Sequence, residues 1–432
     1  MREAITKAAR FVAGLGHREY VLAVLVVSFA TQYLNRQVTI VMAQPIKVEF
    51  GLSDAQLGLL TGFVFSIPYS LMLIPVGALV DRVNRRNLLV IALSVWSFFT
   101  AITGFVQNLF QLSVLRATIA AAESSNNPNA LSMLADLYDR RSRATVVGIF
   151  FGGPTLATVV GFPLVAYIGD KFGWRMAFVA AGLPGLFLAA LTYFTVREPQ
   201  RERVQSATDD HVPSVGEAFR FFCTQKSALH LIAAMTFTST IASGTLAWMV
   251  PLMMRKHGMA LSDAGLAISL YFGATTFVAH LFGGVIADWL AHRDVRWYAW
   301  FPAVAAASNG IVMVGGIMAP PLAFTLTTLA LWGLMSGVQY GPVLGSLQSL
   351  VLPRMRGVAS STMTFMINLV GAGVGPLLVG FLSDRYLPTA GNHSLPYALA
   401  TVSLLQILVL FHFLRASAFI TEDLKRVDRL AS

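Results

Sequence analysis

The chain has 432 residues, of which 56% are hydrophobic and only 12% charged, and its mean hydropathy is +0.66. That balance excludes an ordinary soluble domain, and the net charge of +10 is spread over short loops, which argues against a nucleic-acid patch. An α-helical span needs about 20 predominantly apolar residues. Stretches of that kind occur at 20–47, 54–80, 87–106, 110–138, 144–168, 174–195, 228–254, 262–287, 297–318, 321–350, 357–382 and 394–415. A β-barrel would show alternating segments of about ten residues instead, so the predicted fold is an all-α membrane protein with twelve transmembrane helices.

The 31 Lys and Arg residues set the expected orientation. With the N-terminus in the cytoplasm, 23 fall on that side, 6 on the other, and the remaining 2 are Arg36 and Arg116. The positive-inside bias places both termini in the cytoplasm, and in the inner membrane if the cell is bacterial. The single Cys223 excludes an intramolecular disulfide. The apolar run after "MREAITKAARFVAGLGHRE" is too long for a signal-peptide core and lacks a small-residue cleavage site, so the first helix is expected to stay.

The first span contains "QYLNRQVTI" at 32–40, with Asn35 and Arg36 among residues suited to lipid. An ionisable group there costs several kcal/mol unless it is paired or hydrated, so it should line a polar cavity. The planar fork of Arg36 can hold a carboxylate or phosphate through two parallel bonds. Asn35, about 100° around the helix, can hydrogen-bond substrate or backbone without charge.

The second span ends in "GALVDRVNRR", 77–86. Gly77 is expected to allow close helix packing, Asp81 is an acceptor suited to a helix N-terminus, and Arg82, Arg85 and Arg86 can hold the loop. A purely topogenic basic loop is the alternative. The stretch resembles the loop between helices 2 and 3 of the major facilitator superfamily, Gly-x-Leu-x-Asp-Arg-x-x-Arg-Arg. The resemblance implies two pseudo-symmetric six-helix bundles and a latch that holds the halves together in the outward-open state, with Asp136 as the partner of one Arg.

The fourth span and its loop read "LRATIAAAESSNNPNALSMLADLYDRRSRATVVGI". Arg116, Glu123, Pro128, Ala135 and Asp136 stand at spacings that resemble the spinster-like branch of the superfamily, as does "WRMAFVAAGLPGL" at 174–186. Two departures stand out: Ala120 and Ala122 replace Gly, and Asn35 replaces Asp. Of 21 Asp and Glu residues, Glu123 alone is expected deep inside a span. Its partner must be Arg36 or Arg116; Arg116 lies two turns away, roughly 10 Å along the axis, so Arg36 is the better candidate. A fixed ion pair locking helices 1 and 4 is the structural alternative. Glu123 is the candidate proton-coupling residue, and two guanidiniums against one carboxylate favour an anionic or zwitterionic ligand.

Other polar residues point less sharply. Asn126, Asn127 and Asn129 either line the cavity or satisfy backbone loosened by Pro128. Tyr69, Gln339, Tyr340 and Asn368 contribute to the path or bond between helices, and His280 is a packing or a coupling group. "GIFFGGPTLATVVGFP" in helix 5 and "GAGVGP" in helix 11 read as bending, gating segments.

The long hydrophilic stretch after helix 6 divides the chain into an N-terminal bundle (1–196), a cytoplasmic linker (197–227) and a C-terminal bundle with its tail (228–432). Within the linker, Ser214 and Glu217 cap a short surface helix with Phe219, Phe221 and Phe222 dipping into the membrane, or the stretch is a flexible tether. The halves echo one another: "LSDAQLG" at 52–58 returns as "LSDAGLA" at 261–267, Gly77 and Asp81 as Gly284 and Asp288, and "RSRAT" at 141–145 as "RMRGV" at 354–358. A duplicated six-helix unit places a substrate path between its copies.

No Walker-type phosphate loop and no His or Cys cluster occurs, so neither a cofactor nor a metal is expected, and one carboxylate with two Arg is a poor catalytic set for an enzyme. The expectation is a proton-coupled secondary transporter, working as a monomer in the lipid bilayer without nucleic acid. The resemblance implies an amphiphilic lysolipid- or sphingoid-like substrate with a charged head; a small organic anion is the runner-up. A non-transporting sensor would carry a soluble output domain, which neither short tail supplies. Single cysteines at Ser206 and Asn392, in a Cys223→Ala background, should label from opposite sides of the membrane; labelling from one side would defeat the twelve-helix topology.

Overall fold

The computed structural model describes residues 16–80, 82–198, 215–352 and 355–431, and these are helical with no strand. Asp81 and most of the expected linker, 199–214, lie outside the described residues. Nine helical runs among the described residues are long and apolar enough to cross a membrane. The last of them, Arg356–Val427, contains both the eleventh and the twelfth spans. The first and fourth spans fall short of that measure because they carry the polar residues of the site or are broken. The twelve-helix expectation holds.

The surface is inverted relative to a soluble protein. Phe187, Ile311 and Phe105 are exposed, while Ser28, Ser97, Thr100, Thr192 and Asn309 are buried. Lipid offers no hydrogen bonds, so the buried hydroxyls turn back onto their own helices: Thr100 donates to the Trp96 carbonyl at 2.8 Å and Thr192 to that of Leu188 at 2.7 Å.

By contact the chain forms two compact units, Met1–Thr39 with Pro68–Gln205 and Ile40–Ile67 with Ser206–Ser432. In the first, Leu25, Leu93, Trp96, Leu134 and Phe150 form a core with almost no exposed surface. In the second, the helix Asp54–Thr61 lies against Gly373–Ala390 at glycine-sized distance. A Cβ added at Gly58 would sit 2.4 Å from the Pro376 carbonyl oxygen, and one at Gly380 2.2 Å from that of Asp54.

The bending segments of helices 5 and 11 are π-helical, at Ala157–Gly161 and Ile367–Ala372, and the eighth span has a third such segment at Ile268–Gly273. Wide turns of this kind mark places where a helix changes its packing. A helix does form at Val215–Thr224, but Phe222 is 2% exposed and packs into protein rather than dipping into the membrane. The last helix runs to Ala431, where a tail was expected after residue 415. Its Asp423 accepts the backbone N–H of Ser227 at 2.8 Å and its hydroxyl at 2.6 Å, capping the helix Lys226–His257 from across the unit.

The close packing expected at Gly77 is absent. Among the described residues an added Cβ would meet nothing within 4 Å, and Leu71, Ile74 and Leu79 on the same helix are exposed as well, although Val80 at its end is buried. Gly58→Val should therefore destabilise by about 1–3 kcal/mol through overpacking, whereas Gly77→Ala should be neutral or slightly stabilising through helix propensity. Thermal melts in detergent, read by tryptophan fluorescence, check the contrast.

Candidate functional site

The fourth span breaks where its chemistry sits. Helix Leu109–Glu123 ends, Ser124 and Ser125 intervene, and the helix resumes at Asn126. Pro128 has no N–H to return to the Ser124 carbonyl. The two serine hydroxyls donate instead to the carbonyls of Ala121 and Ala122, both at 2.8 Å, an arrangement that bends helices. The carbonyl of Glu123 is taken from outside: Gln32 Nε2 donates to it at 2.9 Å. Gln32 Oε1 accepts from Asn126 Nδ2 at 2.7 Å, and Asn126 Oδ1 accepts from Ser28 at 2.9 Å. This chain of amides and a hydroxyl fastens the first span to the break.

Glu123 has no exposed surface, and neither of its carboxylate oxygens has a hydrogen-bond partner among the described residues. Arg36 and Arg116 both act on it electrostatically. Arg116, 2% exposed, donates Nη1 to the backbone carbonyl of Arg36 at 2.9 Å. Arg36 is half-buried, and its guanidinium lies 5.7 Å from the centre of the Tyr69 ring, a cation–π contact. The Tyr69 hydroxyl bonds to Gln32.

The structure thus brings Arg36, Arg116, Glu123 and Tyr69 into one cluster within the first unit. Asn35 is buried beside them in sequence, 1% exposed, and neither of its amide atoms has a hydrogen-bond partner among the described residues. Asn127 is half-buried with an unpartnered Oδ1. Asn129 instead donates to the Arg85 carbonyl at 2.8 Å. Tyr340 belongs to the second unit and is 41% exposed; Gln339 bonds to its own helix at Met335, Asn368 to Thr364, and His280 is exposed. Sequence reasoning passed over Gln32, although it opens the quoted "QYLNRQVTI"; the signal was a second amide one turn before Arg36.

The loop residues behave differently. Arg85 is 2% exposed and ion-paired to Asp136, and its Nε lies 3.0 Å from Glu198. Ser132 accepts from the same guanidinium through its carbonyl at 3.2 Å and its hydroxyl at 3.1 Å. Glu198 also accepts the backbone N–H groups of Arg85 at 3.2 Å and Arg86 at 2.8 Å, so it caps the positive end of helix Arg85–Thr103. The Asp136 partnership was expected. Glu198 was not, because it reads as the first acid of a linker. Arg86 stacks over Tyr193, and Arg82 is exposed.

A second charged centre lies in the other unit, on the repeated "LSDAQLG". Asp54 receives both terminal nitrogens of Arg255 at 2.9 Å, together with Lys47 and the Ser383 hydroxyl at 2.7 Å. Asp384 accepts the N–H groups of Asp54 at 2.9 Å and Ala55 at 2.8 Å. The sequence marked this stretch as a repeat and left its partners unseen, since all but Lys47 lie 200 and more residues away.

Comparison with known proteins bears on all of this. The family model described as Major Facilitator Superfamily matches residues 25–376. An MFS-type efflux pump of Mycolicibacterium smegmatis is 29% identical over 413 residues, covering 93% of each chain. A probable L-galactonate transporter of Escherichia coli is 25% identical over 389 residues, 84% of this chain and 83% of that protein. Among solved structures, a bacterial homolog of the human lysosomal transporter Spinster, inward-facing and unoccupied, superimposes with a TM-score of 0.85 at 24% identity, over 94% of this chain and 98% of that one.

Removing Arg85 leaves two partly buried carboxylates facing each other without their cation. Arg85→Ala should therefore cost about 2–4 kcal/mol, while Arg82→Ala should stay within about 0.5 kcal/mol. Equal losses in a detergent melt would show that the loop acts only through its summed charge.

Proposed function

The chain belongs to the Major Facilitator Superfamily of transporters, and on that premise we propose a proton-coupled secondary transporter for a solute with an anionic head group. Glu123 takes the proton, and Arg36 with Arg116 takes the anion. The observation that carries this reading is a fully buried carboxylate, with no hydrogen bond to either oxygen, under the influence of two guanidinium groups. A charge held for structure alone is normally saturated with donors; one left open is suited to exchanging a proton or yielding its cation to a competing anion.

Ionised Glu123 offsets one guanidinium. Once protonated, it leaves both arginines to the solute, so proton and anion bind together. The π-helical segments at 157–161, 268–273 and 367–372 are the places where the spans bend during alternating access. Asn35, Asn127 and Tyr69 supply uncharged polar contacts, Tyr340 is a further proposed substrate contact, and Asp81, Arg82 and Arg86 join the Arg85–Asp136 pair in a latch. The protein acts as a monomer with both termini in the cytoplasm.

The leading substrate is an amphiphile of lysolipid or sphingoid-like build with an anionic head, a reading supported by the likeness to the Spinster homolog. A second reading, a small hydroxylated organic anion, is supported by the similarity to an L-galactonate transporter.

Thermal stabilisation of the purified protein separates the two. A ligand at 100 times its Kd adds about 2.7 kcal/mol, so lysophosphatidylglycerol and galactonate are compared directly. Glu123→Gln should keep or tighten binding and lose its pH dependence, and Arg36→Ala should lose charged-head ligands at every pH. Arg36→Lys should rescue only in part, since a point charge does not reproduce the fork. Persistence of pH-dependent binding in Glu123→Gln, with stability regained by swapping the two charges, would make the cluster structural.

A further inference from the structure

The charge count of the first unit constrains more than the sign of the solute. Its other described carboxylates, Glu19, Asp136, Asp139, Asp170 and Glu198, all lie in loops or within a turn of a span's end. The position next to Arg36, where a second acid would share the same cluster, is Asn35, buried at 1% exposure with neither amide atom hydrogen-bonded among the described residues. An amide fills the volume of a carboxylate without its charge or its proton. We infer that each transport cycle moves one proton with one monoanion and no net charge, an inference that rests on Glu123 being the proton site.

The groups acting on Glu123 are Arg36, Arg116 and the Tyr69 ring with its hydroxyl. With Glu123 ionised, two guanidiniums and one carboxylate leave the empty cluster with a single positive charge. Protonation adds one, and a bound monoanion removes it. Loaded and empty clusters therefore carry the same charge, so the complete cycle moves no net charge across the membrane. A dianion leaves the loaded cluster neutral, and a zwitterion leaves it doubly positive. Either would make the complete cycle move a net charge, so the cluster is matched to a solute of charge minus one.

Asn35→Asp changes the count. Two ionised acids leave the empty cluster neutral, whereas two protons and a monoanion leave it singly positive. Transport then gains one charge per cycle, and steady-state accumulation in vesicles held at about 100 mV, inside negative, should rise roughly fifty-fold over the unclamped value.

The test uses the full chain in proteoliposomes with a pH gradient and a potassium–valinomycin clamp. The probes are galactonate as a small monoanion, lysophosphatidylglycerol as an amphiphilic one and galactarate as a dianion. Wild-type protein should take up one proton per monoanion to an extent indifferent to the clamp and with no net current. The monoanion that does so identifies the source, and galactarate should be carried poorly or with a current. Calorimetric titration in buffers of differing ionisation enthalpy reads protons bound per ligand without any flux: one for wild type, none for Glu123→Gln, two for Asn35→Asp.

A wild-type current with a monoanion, two protons per ligand in the wild type, or an unchanged count in folded Asn35→Asp overturns the inference while leaving Glu123 as the proton site. A proton count that survives Glu123→Gln overturns both. Failure of both monoanions to bind removes the functional reading and this inference together.

Discussion

The first unit is arranged around one expensive object, the fully buried carboxylate of Glu123, whose oxygens have no hydrogen-bond partner among the described residues. Two guanidiniums must stay near it, so the first span tolerates Arg36 and the fourth Arg116. Arg116 is itself anchored on the Arg36 carbonyl, which keeps the two cations and the two spans in register. The helix break at Ser124 and Ser125 frees backbone groups at the same level. Gln32 takes one of them, the Glu123 carbonyl, and Asn126 and Ser28 hold Gln32 in place behind it.

Hydrogen-bond saturation separates the charges that hold the protein together from the one proposed to work. Arg85 touches Asp136, Glu198 and Ser132. Asp54 receives donors from Arg255, Lys47 and Ser383. Breaking either centre strands several groups at once. Glu123 has coulombic neighbours and no bonds, so it can change charge without dismantling its surroundings. The glycine contacts at Gly58 and Gly380 belong with the saturated centres, since they let the helix carrying Asp54 approach the helix carrying Ser383 and Asp384.

Local properties were legible in the sequence. Span count followed from apolar run length, and Arg36, Arg116 and Glu123 stood out because charge is so rare in such runs. The Arg85–Asp136 pair, 51 residues apart, was legible only because the family resemblance named Asp136 as the partner of one Arg in the loop. Other long-range partnerships were not legible: the Asp54–Arg255 contact joins residues 201 apart, and nothing in either neighbourhood announces the other. Glu198 was misread because acids after a span are usually linker, and only the fold brings this one onto the N–H groups of Arg85 and Arg86. Gly77 misled in the opposite direction. A glycine permits close approach without causing it, and the neighbouring helix must also be there.

The Asp423 cap on Ser227 joins the start of the seventh helix to the far end of the twelfth, so the second unit closes on itself near its own chain ends. Termini that meet in space are what circular permutation requires. A short bridge between these ends, with the chain reopened at an exposed turn such as that near Gly391, would re-order the six helices while keeping their packing. The same closure gives the residues after 415 a structural duty, and a fusion partner belongs beyond Ala431, outside the clamp.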